Sequence, residues 1–165
     1  MLEPLLLKLA SHGPDSDAAR LQLYSRVTAC CEEELDGVAA AFDKHKDGVL
    51  KVLIQDCLEG CAEVQNMAVE ILGHLAGMAD YMSPFQPHQA CSLWSAMARI
   101  LQDGERGRLS KIAALFAISH QTMGPSLMET SAPLLAPVVA QAMRHKSTVV
   151  RKQAATAAHS LLGDA

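Results

Sequence analysis

The residues with the most chemistry within reach are cysteines, histidines and a late cluster of cations. Cys57 and Cys61 stand four apart, Cys30 and Cys31 are adjacent, Cys91 is isolated, and seven histidines are spread along the chain. A zinc site needs two pairs of ligands at short, regular spacing, but Gly60 and a predicted turn fall between Cys57 and Cys61, and no second pair has that spacing. The expectation is reduced thiols, buried or half-exposed, with no metal. Ser119 and His120 are neighbours, so on a helix their side chains point about 100° apart, which does not make a nucleophile and its base. The chain has no G-x-S-x-G elbow and no phosphate-binding glycine loop. Neither an enzyme nor a cofactor is expected, and an uncharacterised enzyme is a distant alternative.

The cations offer a different chemistry, attraction at a surface. Arg106, Arg108 and Lys111 surround one expected turn; Arg144, Lys146, Arg151 and Lys152 surround the next. The corresponding earlier turns carry Asp15 and Asp17, then Glu59 and Glu63. Residues 1–98 hold 14 acidic and 6 basic side chains, a net −8, and residues 99–165 hold 4 and 8, a net +4. If the turns lie along one edge, that edge grades from negative to positive, and its positive end would hold an acidic peptide or helix. The plainer reading is that these are solvated turn residues, some of them helix caps. No aromatic side chains accompany the cations, so nucleic acid is not the expected partner.

The elements that must position these groups are helices. At 165 residues the chain is one ordinary domain, half hydrophobic yet only 4% aromatic, and its apolar content is mostly Leu, Ala, Val and Met. Leu2, Leu5, Leu6 and Leu9 share one helical face, which ends at Gly13-Pro14. Asp15, Ser16 or Asp17 can cap the next helix, which runs out in Glu32 to Glu34. A short helix from Leu35 to Phe42 is expected to break at the polar run Asp43 to Gly48 and resume from Val49 to Leu58, leaving a broken or kinked element. The breaker-rich loop Met82 to Pro87 should expose Phe85, with Ser83-Pro84 able to start the helix from His88 to Leu101. Leu109 to His120 forms its partner, up to Gly124-Pro125. The last pair begins after Thr130, with Pro133 in a first turn and Pro137 bending the helix.

Two of these stretches echo one another. Val64 to Gly77 reads VQNMAVEILGHLAG, and Val150 to Gly163 reads VRKQAATAAHSLLG; small or apolar residues coincide at offsets 4, 7, 11 and 13 from each valine. His74 and His159 fall at nearly equivalent places and read as packing-edge residues. The second helices of four hairpins start near Ser16, Ala62, Gly107 and Thr148, at spacings of 46, 45 and 41 residues. That period lies in the roughly 40–47 residue range of HEAT and armadillo units.

On these residues the chain resembles the HEAT/armadillo-like helical repeat family. PLLLKLASHGPDSDAARLQL, with Arg20 early in the second helix, is similar to one such unit, and PLLAPVVAQAMRHKSTVVRKQAATAAHSLL, with Val150-Arg151, to another. The middle units depart from the pattern: Gln65 stands where a basic residue is expected. The resemblance implies an all-α, α-solenoid fold of about four helical hairpins, with units near 1–34, 35–81, 84–123 and 126–165. It implies a non-catalytic scaffold that binds another protein on a concave face built from second helices, or on the edge of hairpin turns. A globular helical bundle acting as an adaptor is the alternative.

No apolar run approaches the roughly 20 residues of a membrane span. The odd number of cysteines and the lack of a basic leader suit an intracellular place, cytoplasmic or nuclear. Leu7 and the apolar last helix raise two expectations for the ends: self-association through terminal units, or a chain that is a piece or short isoform of a longer array.

Overall fold

The leucine spacing of the first helix, the two echoing segments and the alanine-rich runs between them all become helix. The computed structural model describes residues 2–11, 16–32, 35–78, 85–119 and 125–162. Among the described residues there are eight helices and no strand. They are α1 (Leu2–Ala10), α2 (Asp17–Cys30), α3 (Leu35–Glu59), α4 (Ala62–Gly77), α5 (Pro87–Gln102), α6 (Arg108–Ser119), α7 (Pro125–Ala142) and α8 (Thr148–Leu162). None is long and apolar enough to cross a membrane among the described residues.

Each odd helix packs on the even one that follows it. In addition α1 packs on α3, α3 on α5 and α5 on α7, while α2 packs on α4, α4 on α6 and α6 on α8. One continuous core runs through these contacts, with Leu6, Tyr24, Phe42, Leu53, Leu72, Trp94 and Leu115 among its buried side chains. The echo has a physical meaning here: Val64, Ala68, Ile71 and Leu75 are buried in α4, and Val150, Ala154 and Ala157 in α8. Ala68, Ala154 and Ala157 let neighbouring helix axes approach, where larger side chains would hold them apart.

Several local expectations change. Ser16 is the cap of α2, its hydroxyl accepting from the Ala19 N–H at 3.2 Å; Asp15, Gly13-Pro14, Glu33, Glu34, Asp80 and Ser83-Pro84 lie outside the described residues. The polar run Asp43 to Gly48 is not a loop. It is helical on either side of a kink at His45 (φ −114°, ψ 15°), so the kink expected in α3 is present although the loop is not. The run reads as a loop because its side chains are polar, but they serve contacts between helices. Lys44 reaches Glu3 of α1 at 2.6 Å, and Gly48 lies so close to α1 that a Cβ there would meet the Ala10 Cβ at 3.0 Å. The hydrogen bond and charge of Lys44, with His45 beside it, hold the exposed Glu3 carboxyl below its usual range. Lys46 is buried, with its ammonium 3.6 Å from Asp43 and 5.0 Å from the centre of the Phe85 ring.

Phe85 is therefore buried, where the loop composition predicts exposure. Pro87 occupies the first turn of α5, and the Gln89 side chain accepts the Gln86 N–H at 2.9 Å. α7 starts earlier than expected, so Pro133 and Pro137 are both interior. Both are exposed, on the side of α7 away from the core. Leu135, Val138, Val139 and Ala142 hold the opposite face of α7 in the core.

Candidate functional site

The four even helices share a register that their burial makes visible. Counting from Ala19, Val64, Ser110 and Val150, core residues recur four, five, seven or eight positions on: Leu23, Tyr24 and Val27; Ala68, Val69, Ile71 and Leu72; Ala114, Leu115, Ala117 and Ile118; Ala154 and Ala157. The next residue after each starting point is Arg20, Gln65, Lys111 and Arg151. This place lies in the first turn of an even helix, beside the end of the preceding helix, whose last carbonyls have no partner of their own. Long donors suit it.

The four donors settle differently. Arg20 forms a 2.7 Å ion pair with Asp56 near the end of α3, and the Tyr24 hydroxyl donates to the same carboxylate oxygen. Burial opposes the charge on Arg20, but the bond and charge of Asp56 outweigh it and its pKa rises; burial, then the Asp56 carboxylate, raise that of Tyr24. Gln65 donates to the Leu58 carbonyl at 3.4 Å. Arg151 folds back on its own turn, donating to the carbonyls of His145 at 2.8 Å and Lys146 at 3.0 Å and to the Thr148 hydroxyl at 3.0 Å. Lys111 faces a groove.

That groove lies between the α5–α6 turn and the α7–α8 turn and has a volume of about 630 Å³. Arg106, Arg108 and Lys111 line one side, His145, Lys146 and the first turn of α8 the other, and no carboxylate lines it among the described residues. The N-termini of α6 and α8 both open there, adding partial positive charge. His145 registers the field: desolvation, then the charges of Lys111, Lys146 and Arg151, lower its pKa. Its Nδ1 accepts the Ser147 N–H at 3.0 Å, which requires that nitrogen to be unprotonated. Sequence reasoning passed over His145, although Arg144 and Lys146 on either side were the signal.

The cations singled out in the sequence divide by role. Arg108, Lys111 and Lys146 line the groove; Arg144 and Lys152 are exposed outside its lining. Arg106 is a structural residue as well as a wall. Its side chain is 9% exposed, Nη2 donates to the Cys57 carbonyl at 2.6 Å, and Nε lies 3.7 Å from Asp103. Its Nη1 is buried with no hydrogen-bond partner. Arg106 thus brings to the end of α3 the charge that Gln65 lacks. On the acidic side of the edge, Asp17, Glu59 and Glu63 are exposed.

The remaining reactive groups are occupied by packing. Cys57 is buried and donates to the Ile54 carbonyl at 3.1 Å, Cys61 is exposed, and burial pushes the Cys31 and Cys57 thiols up to about 12. Among the described residues no three His, Cys, Asp or Glu side chains gather as metal ligands. Ser119 ties α6 to α8: its hydroxyl donates to the Leu115 carbonyl at 2.8 Å and accepts from Gln153 at 3.3 Å, and its carbonyl accepts from Ser160 at 2.9 Å. His120 is outside the described residues. His74 is half-buried between α4 and α6, and His159 is exposed. No protein-family model, curated protein or solved structure matches this chain.

Proposed function

We propose that this chain is a non-catalytic protein-interaction scaffold, its four hairpins stacked as a HEAT/armadillo-like α-solenoid. The repeated register of the even helices and their neighbour-to-neighbour packing support the architecture, since a hairpin with two apolar faces is stable only between neighbours. The observation that carries the function is the groove lined by Arg108, Lys111 and Lys146, with no carboxylate in its lining among the described residues. Proteins seldom hold several cations together in a concave site without a use for the field, which draws in an acidic segment of a partner and fixes its register. The free thiols and the lack of a membrane-spanning helix among the described residues suit a reducing, intracellular setting.

The test is to reverse Arg108, Lys111, Arg144 and Lys146 together to glutamate and compare the proteins captured from cell extract at low and high salt. The expected result is a set of partners retained by the unaltered chain at low salt, released by salt, and lost by the variant. An identical set on both chains would end this reading.

A further inference from the structure

α6 is apolar on the side that faces water. Leu109, Ile112, Ala113 and Phe116 recur at i, i+3, i+4 and i+7, opposite the buried Ala114, Leu115, Ala117 and Ile118, and Leu109 and Phe116 are 64% and 44% exposed. Ile112 and Ala113 between them are half-buried against the core, so Leu109 and Phe116 form the exposed ends of one apolar stripe rather than isolated hydrophobic residues.

The equivalent rows on either side sharpen the point. In the shared register the row on α4 is Glu63, Asn66, Met67 and Glu70, and the row on α8 is Val149, Lys152, Gln153 and Thr156. Since α4 and α8 both pack on α6, the face has three lanes: one bearing Glu63 and Glu70, an apolar one, and one whose single charge is Lys152. A cavity of about 440 Å³ runs along the first boundary, walled by Asn66, Glu70 and His74 of α4 and floored by Leu109, Ile112 and Phe116 of α6. With helix axes about 8–10 Å apart, the outer lanes stand roughly 16–20 Å from each other. A helix about 10–12 Å across fits between them, with long charged side chains reaching both ways.

We propose that this face docks one amphipathic helix of a partner protein. Its apolar stripe seats on Leu109, Ile112 and Phe116, its cationic flank lies over Glu63 and Glu70, and its carboxylate flank lies over Lys152. Turning such a helix end for end would set each flank against its own sign, so the outer lanes also fix the direction in which it runs. The inference rests on the protein-binding reading above and adds the chemistry of the partner.

The test uses the full chain and three hydrocarbon-stapled helical peptides of about 14 residues, a length that needs the staple to stay helical in water. All carry leucine at i, i+3, i+4 and i+7. One has glutamates on one flank and lysines on the other, one has only glutamates and one has only lysines. Fluorescence anisotropy at low salt is expected to show the split peptide binding about tenfold tighter than either single-sign peptide. Glu70→Lys should move the preference to the all-glutamate peptide and Lys152→Glu to the all-lysine peptide. Leu109→Gln, at an exposed position that leaves the core intact, should weaken all three about fivefold.

Absence of saturable binding by every peptide, or equal binding with an order unmoved by the charge variants, overturns the proposal. So does self-association of the chain that Leu109→Gln abolishes in sedimentation, because the occupant is then a second copy. If the peptides fail while charge reversal at the basic groove still removes captured partners, this inference falls and the scaffold reading stands.

Discussion

The second and fourth hairpin turns lead into helices of the same buried register and end in opposite conditions. At the second, the groups that close the helix end draw partners from other elements, although Arg106 Nη1 stays buried without one. Asp56 accepts from Arg20 and Tyr24, the Leu58 carbonyl accepts from Gln65, and Arg106 arrives from the next hairpin to hold the Cys57 carbonyl. At the fourth, Arg151 holds the carbonyls of its own turn, while Arg144 and Lys146 are exposed. The same structural need, closing the end of a helix, is met in one place by neighbours and in the other locally. Local closure leaves the surrounding cations to face a groove.

Substitutions that remove the shared partners should break this contrast most strongly. Asp56→Ala takes the shared carboxylate from Arg20 and Tyr24 where the ion pair is only 17% and 13% exposed, and urea unfolding should show a loss of about 2–4 kcal/mol. No residue of the fourth turn should approach that cost. Next, Arg106→Ala removes a charged donor from the Cys57 carbonyl at 2.6 Å and should cost about 1.5–3 kcal/mol. Arg151→Ala, whose bonds are exposed, should stay within about 0.5 kcal/mol. Comparable losses would mean that the fourth turn is closed as firmly as the second.

Glycines give a smaller but sharper contrast. A Cβ on Gly60 would meet Val64 Cγ1 at 2.7 Å and the Asp56 carbonyl oxygen at 2.8 Å, whereas Gly107, in the groove wall, has nothing within 4 Å. Gly60→Ala should lower stability by about 1–3 kcal/mol, and Gly107→Ala should leave it unchanged within about 0.5 kcal/mol. Thermal melts of the pair decide the matter.

The smallest expected effect belongs to His145. Its folded pKa lies below the ordinary 6.5, so the folded chain favours the neutral ring. Its contribution to stability is complete above about pH 6.5 and is lost as pH falls through the folded pKa, because the unfolded chain takes up the proton first. An NMR titration should place the His145 midpoint below 6.5, and Lys111→Gln with Lys146→Gln should raise it. A midpoint indifferent to those lysines would mean that the groove carries no such field.

Much of the helical plan was legible in the chain. Offsets 4 and 7 of the echo are buried in both α4 and α8, offset 11 is buried in α4 and half-buried in α8, and Gly163 lies outside the described residues. The leucines of α1 fall where their spacing puts them. Composition failed where a side chain's partner is distant in sequence. Lys46 and Phe85 read as loop residues until α3 and α5 bring them together. Arg106 reads as a surface charge because its acceptors are backbone carbonyls 48 and 49 residues away, which no side-chain pattern announces. The exposure of Leu109 and Phe116 was not legible, because hydrophobicity alone does not say which face of α6 meets protein. The groove was half visible: the cations marked the two turns, but their facing one another depends on how α6 and α8 pack.

Ser110 occupies the place that valine holds in α4 and α8, buried, with its hydroxyl donating to Asn66 of α4. That bond acts as an address. Moved beside a helix lacking an asparagine at the matching position, α6 would bury a hydroxyl with no acceptor; moved away from α6, α4 would keep an amide with nothing to receive. The hairpins are therefore not interchangeable parts. Duplicating or shuffling them, by recombination or by design, would preserve the fit of shapes and lose a polar contact by which the third hairpin matches its own neighbour.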